Sequence, residues 1–314
     1  MPVSDDRRLT VGLIGLGNMG AAFAERLLDA SYRLVVSNRT PAKAEAAAAL
    51  GANVASTPEE LVEHVDVVLT SLANDEAFEA VATRVVAAAR PGLVLVDLST
   101  VSPAVSARVA SLARDASVAY VRAPVSGNPT VVRAGNLSLI VSGPQETIDE
   151  IEPVLLAIGP TVQRVGEEEQ ARVVKLAINL MIAVIVQAMS EAVVLGEAAG
   201  VSRAAILDVM QRSAVGAPLV NYKSEPLLHD DYSATFTTAL MEKDIDLVLE
   251  VADEVGVELP LAQEMKQHLR GTIEDGYGDS DFLALFQHLR RSCGLEAADA
   301  SGRASPHPDK EVVR

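Results

Sequence analysis

The sequence has one cysteine, Cys293, in 314 residues, so no disulfide framework can form within the chain. A reducing, cytoplasmic setting is expected. Basic residues are in deficit: 26 Lys and Arg against 43 Asp and Glu give a net charge of −17. A nucleic-acid binder needs a basic footprint, so that class is excluded. An anionic substrate must then be drawn in by local positive groups, while the overall charge serves solubility. No apolar h-region follows the opening MPVSDDRRLT, so no secretory signal is expected. The longest apolar run, Leu176 to Val186, contains Asn179 and falls short of the ~20 residues of a bilayer span, so no membrane contact is expected. His229 has no companion at ligand spacing, and no metal site is expected. No repeat of roughly 20–50 residues is present.

What is there is a change of pattern. From residue 9 to about 165, short Val/Leu/Ile runs alternate with amphipathic helical stretches. TVGLIGLG, RLVVSN, VDVVLTSL, GLVLVDLST, AYVRAPVS and LSLIVSG read as strands. Their continuous apolar character, without strict alternation, predicts a parallel sheet covered on both faces. The fold class is α/β: an N-terminal Rossmann-type doubly wound parallel sheet, followed by an all-α C-terminal domain. The expected boundaries are 1–166 for the dinucleotide-binding domain and 167–296 for the helical substrate and dimerisation domain. Residues 297–314, small, polar and proline-containing, read as a disordered tail.

GLGNMG places Gly15, Gly17 and Gly20 in a G-x-G-x-x-G pattern, with Leu16, Asn18 and Met19 between them. The spacing alone is weak. Here it follows a strand and opens a helix, which is the context dinucleotide binding needs. Gly15 permits the turn, Gly17 lets the backbone approach a pyrophosphate, and Gly20 allows the helix to pack closely on the strand. The helix N-terminus then turns free N–H groups to the phosphates. An NAD site carries a carboxylate about 20 residues on, for the ribose 2′-OH. This chain has SNRT there. Arg39 can pair with a 2′-phosphate, Asn38 and Thr40 can hydrogen-bond it, and Lys43 adds charge one turn later. NADP is therefore the expected cofactor, with NAD the alternative.

In RVVKLAINLMIAVIV, Lys175 and Asn179 stand at i and i+4 on one helix face. A lysine at the start of an apolar helix either snorkels to solvent or is put to use. A lysine beside a nicotinamide can protonate the oxygen formed by hydride transfer and stabilise its charge.

Several stretches in order resemble the β-hydroxyacid dehydrogenases, the 3-hydroxyisobutyrate dehydrogenase-like group related to 6-phosphogluconate dehydrogenase. They are VGLIGLGNMG, VDLSTVSP, APVSG, KLAIN and MEKDIDLVLE, and the resemblance spans about residues 9–295. It implies that Lys175 is the general acid/base and that Asn179 holds substrate from the same helix. It implies that Ser126 and Gly127 bind a substrate carboxylate, with Asn128 beside them. It places Leu72, Ala73 and Thr100 along the nicotinamide-ribose side, and brings Lys243 to the cofactor. A homodimer or homotetramer follows from the apolar helix and from the resemblance. The implied substrate is a small carboxylated molecule, with glyoxylate and the succinic, tartronic and methylmalonic semialdehydes all admissible.

The departures cluster around the substrate. Asn128-Pro129 stands where the family has a second glycine, and proline restricts Asn128 to extended backbone. Arg122 replaces an aspartate, Ala171 a glycine, and Ile178 an asparagine. Tyr222 and Lys223 fit core or surface equally. An imine reductase or reductive aminase is the alternative enzyme, which the retained Lys175 disfavours. A non-catalytic dinucleotide-binding interaction module is the alternative of another class.

Overall fold

The computed structural model describes residues 9–295, so the expected tail at 297–314 lies outside the described residues. Two compact units form. The first runs up to Met181 and adds Lys243–Ala262; the second takes Ile182–Glu242 and the chain from Gln263 onward.

The first unit is built on a sheet of nine strands among the described residues. These are β1 (Val11–Ile14), β2 (Leu34–Ser37), β3 (Asn53–Val54), β4 (Val67–Thr70), β5 (Val94–Asp97), β6 (Ala119–Arg122), β7 (Val125–Ser126), β8 (Ser138–Ser142) and β9 (Thr161–Gly166). Their order is β3-β2-β1-β4-β5-β6-β8-β7, with β9 also on β8. The strands from β3 across to β6 are mutually parallel, as the apolar runs require. Beyond β6 the sheet is not parallel throughout: β8 runs antiparallel to β6 and to β7.

The helices of this unit are α1 (Asn18–Asp29), α2 (Pro41–Ala49), α3 (Pro58–Val62), α4 (Asp75–Ala88), α5 (Pro103–Asp115), α6 (Pro129–Arg133) and α7 (Gln145–Ile158). Strands β1, β2, β4 and β5 are buried at every residue because helices cover both faces. Successive side chains feed opposite cores. Leu69 and Val96 join Phe23 and Leu155 on one face, whereas Val68 and Leu95 join Phe78 and Val109 on the other. The chain reverses its winding between β1 and β4, and the crevice at their carboxyl ends is the binding position of such sheets.

Helices also pass from one unit into the other. α8 (Gln170–Ala198) is a single helix of 29 residues in which Asn179 makes no break. By length and composition it could cross a membrane, although Arg172, Lys175 and Asn179 within it are buried on protein partners. α11 (Thr238–Glu254) returns the chain to the first unit, where Leu247 and Val248 pack with Leu176.

The second unit adds α9 (Arg203–Arg212), α10 (Pro218–Leu228), most of α12 (Pro260–Thr272) and α13 (Leu285–Ser292). Buried Asp281 organises it, accepting from Lys223 Nζ at 2.6 Å and Thr235 Oγ1 at 2.6 Å. Lys223 is thus a core residue held by an ion pair, while Tyr222 is exposed. His229 is exposed and pairs with Glu225.

Candidate active site

The turn after β1 explains its glycines individually. Gly15 has φ +96°, and a Cβ there would lie 2.2 Å from the Ser71 carbonyl oxygen. A Cβ on Gly20 would lie 2.0 Å from the Gly15 oxygen. Packing of the protein on itself forbids side chains at both. Gly17 differs: nothing lies within 4 Å of the position its Cβ would take. It is also the N-cap of α1 and supplies no side-chain cap, so the first-turn N–H groups keep their capacity for an anion. Open space, an uncapped helix start and a close-packed turn fit a dinucleotide pyrophosphate. Asn18 is exposed here, Met19 is half-buried, and the Leu16 side chain enters the core.

Asn38 makes two hydrogen bonds within the protein. Its Oδ1 accepts from Leu16 N at 2.9 Å and its Nδ2 donates to Thr40 O at 3.0 Å. These bonds brace the glycine turn against the end of β2. Arg39, Thr40 and Lys43 are exposed beside it. Arg39 forms no ion pair among the described residues, leaving its guanidinium available to an outside anion.

The ends of β4 and β5 are joined through side chains. Asp97 Oδ1 accepts from Thr70 Oγ1 and from Ser99 Oγ, both at 2.6 Å. Ser99 Oγ accepts in turn from Leu72 N at 2.9 Å. Leu72 is half-buried and Ala73 exposed.

Thr100, next along, begins a second chain of contacts. Its carbonyl accepts from Lys243 Nζ at 2.7 Å, and that Nζ lies 2.8 Å from Asp244 Oδ1. Asp244 Oδ2 accepts from Asn179 Nδ2, and Asn179 Oδ1 accepts from Lys175 Nζ at 2.8 Å. Every member belongs to the first unit. Sequence reasoning named Lys175, Asn179, Thr100 and Lys243, and the structure brings these four together. It named Asp244 only as part of the MEKD motif and gave it no role; 1 % exposed, it links the two lysine-bearing helices. The signal was its place beside Lys243 in MEKD. Burial lowers the Lys175 pKa to about 8; Asp244 opposes that shift and Lys243 adds to it.

Ser126, Gly127 and Asn128 form a separate loop at the end of β7, with no hydrogen bond to the Lys175 chain among the described residues. Gly127 has φ +145°. Asn128 is extended, at φ −123°, and its Oδ1 caps α6 by accepting from Val131 N at 3.0 Å, with Pro129 at the first helical position. The Asn-Pro pair that replaces the second glycine is therefore a helix start. Arg122 is buried too, paired with Glu169 and lying 4.6 Å over the Tyr120 ring. A cavity of about 430 Å³, lined by residues such as Ala107, Arg114, Tyr120 and Glu169, holds none of the expected site residues. Among the described residues no cluster of metal-ligating side chains occurs.

Comparison with known proteins completes the picture. The family profile for the NAD binding domain of 6-phosphogluconate dehydrogenase matches residues 10–166. The profile described as NAD-binding of NADP-dependent 3-hydroxyisobutyrate dehydrogenase matches residues 170–289. A probable 3-hydroxyisobutyrate dehydrogenase of Mycobacterium bovis is 30% identical over 288 residues, covering 90% of this chain and 98% of that one. The 2-(hydroxymethyl)glutarate dehydrogenase of Eubacterium barkeri is 29% identical over 297 residues, 93% and 99% of the two chains. The structure of Mycobacterium tuberculosis 3-hydroxyisobutyrate dehydrogenase with L-serine superposes with a TM-score of 0.83 at 30% identity, covering 90% of this chain and all of that one. A glycine turn shaped for a dinucleotide, a buried lysine at the carboxyl end of the sheet, and family profiles over both halves lead to one conclusion: the chain belongs to the β-hydroxyacid dehydrogenase family of NAD(P)-dependent oxidoreductases.

Proposed function

We propose that this protein interconverts a small carboxylated 3-hydroxy acid and its semialdehyde or keto-acid partner with NADP(H), using Lys175 as general acid and base. The observation that carries this reading is the buried Lys175 amine, held by Asn179 Oδ1 at 2.8 Å; burial lowers its pKa to about 8. Relatives that act on hydroxy acids support the substrate class.

The bound nicotinamide supplies or accepts the hydride. The chain's own residues do the rest. In reduction, the Lys175 ammonium gives a proton to the substrate oxygen and stabilises its developing charge. In oxidation, the neutral amine takes the hydroxyl proton. Asn179 fixes the direction of that amine, because its amide nitrogen is committed to Asp244 and its oxygen must therefore face Lys175. Ser126, Gly127 and Asn128 receive the substrate carboxylate. Gly15–Gly20 would hold the pyrophosphate, Leu72, Ala73 and Thr100 would line the nicotinamide-ribose side, and Lys243 holds the Thr100 carbonyl. Arg39, with Lys43, takes the 2′-phosphate of NADP; the absence of a carboxylate in Ser37–Thr40 supports this choice over NAD. The protein works in the cytoplasm as a homodimer or homotetramer.

A screen of NADPH oxidation over small aldehydes, keto acids and cyclic imines, run on wild type and Lys175→Ala, tests the reading. Turnover of a carboxylated carbonyl that collapses in the variant is expected. Imine turnover that survives in Lys175→Ala would replace it with the reductive-amination alternative.

A further inference from the structure

Arg172 stands one turn before Lys175 in α8 and is the largest fully buried side chain, 1 % exposed. Its guanidinium is spread over four acceptors. Nη2 reaches Asp97 Oδ2 at 2.6 Å and Tyr120 Oη at 2.9 Å; Nη1 reaches the Ser99 carbonyl at 2.7 Å; Nε reaches Ser106 Oγ at 3.3 Å. The Phe78 ring lies 5.9 Å beneath it. No catalytic step proposed above uses this residue.

Two of these acceptors belong to the cofactor side of the site. Asp97 holds Ser99 through its other oxygen, and Ser99 holds the Leu72 backbone N–H. The Ser99 carbonyl immediately precedes Thr100, whose own carbonyl takes Lys243. One side chain from the first turn of α8 thus grips the ends of β5 and, through Ser99, β4. A buried ion pair is a poor means of stabilising a fold, since apolar residues of similar volume do as well or better. It does impose register, because a planar fork with fixed donor directions accepts one arrangement of partners.

We infer that Arg172 is a positioning residue, which sets Lys175 against the Leu72 and Thr100 segments by locking α8 to the carboxyl end of β5. The inference rests on the proposed role of Lys175 and of those segments at the nicotinamide. A misplacement of about 1 Å in a reacting group costs on the order of 10²-fold in rate.

Three proteins test it: wild type, Arg172→Lys, and the double variant Arg172→Met/Asp97→Asn. The lysine keeps the charge beside Asp97 but loses the fork. The double variant removes both charges, so it leaves no unpaired buried carboxylate and stays folded if the single change does not. Three quantities are read in each: Tm, the NADPH Kd from nicotinamide fluorescence, and the pH profile of Lys175 labelling by a small amine-reactive probe, followed by mass spectrometry of its peptide. With a turned-over substrate, kcat and KM are added. Positioning predicts that the double variant keeps a wild-type Tm while NADPH Kd rises several-fold, the Lys175 profile moves toward that of free lysine, and kcat falls about 10- to 100-fold with KM little changed. Arg172→Lys is expected to share these losses. A variant that lowers only Tm, with NADPH Kd, labelling profile and kcat within two-fold of wild type, would overturn the inference. Wild type that binds no NADPH would defeat the proposed function instead, and the labelling profiles would then decide the role of Arg172 alone.

Discussion

Lys175 and Asn179 share one face of α8, and the lysine Nζ donates to the amide Oδ1 at 2.8 Å. That contact ties a proton donor to an amide which is itself anchored by Asp244 from α11. The amine is buried but not abandoned: it has one oriented partner and a carboxylate one residue beyond.

Burial brings the Lys175 pKa down to about 8. In its proposed role Lys175 gives up its proton in reduction, so the kcat of reduction should fall as pH rises through about 8. Oxidation needs the amine, so its kcat should rise over the same interval. Lys175→Ala should lower kcat by about 10²- to 10⁴-fold and erase that limb. Stability carries the same signature with its own sign. The folded pKa lies below the unfolded one, so between about 8 and the ordinary lysine value of 10.5 the unfolded chain binds the extra proton, and stability should rise with pH across that window. Lys175→Met should flatten this rise in a series of denaturant melts.

Asp244 and Lys243 push that pKa in opposite directions. Asp244→Asn should move the reductive limb to lower pH, because the carboxylate that favours the ammonium is gone. Lys243→Met should move it to higher pH. Profiles of kcat for the two variants displaced the same way would refute this electrostatic account.

How much of this was legible beforehand depends on how local each signal was. β1, β2, β4 and β5 showed themselves because burial on both faces writes a continuous apolar run. β3, two exposed residues, and β9, TVQRVG with no apolar run, write nothing of the kind. Asn128-Pro129 carried a helix-start signal, yet α6 is five residues long and periodicity cannot show in so short a helix. The brace that Asn38 gives the glycine turn was not legible, because its bond to Leu16 N crosses 22 positions. Arg172 had no local sign at all. Its partner Asp97 lies 75 residues upstream, and only the fold joins them.

The proposed preference for NADP rests on an exposed side chain with no partner of its own among the described residues. Arg39→Ala should lower the NADPH/NADH ratio of kcat/KM by roughly 10- to 100-fold, the range of a charge-assisted bond to phosphate. An unchanged ratio would move the 2′-phosphate contact elsewhere.

α8 presents Val173, Met181 and Leu195 to the outside, at 43%, 63% and 72% exposure. These large apolar side chains lie along a helix that is only partly buried, and a second copy of the chain is the partner proposed for them. Light scattering at micromolar concentration should show a dimer or tetramer. Met181→Glu/Leu195→Glu should shift it toward monomer. A monomeric wild type would refute the assembly.

Asn128 separates two roles that one residue holds. Its Oδ1 caps α6, and Asn128→Ala should therefore cost about 1 kcal/mol of stability. Asn128→Asp keeps the capping oxygen, so Tm should stay near wild type. The added charge would face the carboxylate that this loop is proposed to receive, and KM should rise about tenfold or more, a cost of about 1.4 kcal/mol. The same substitution should spare NADPH Kd, since the glycine turn and Arg39 lie on other loops. An Asn128→Asp variant with wild-type KM would place the substrate carboxylate away from Ser126–Asn128.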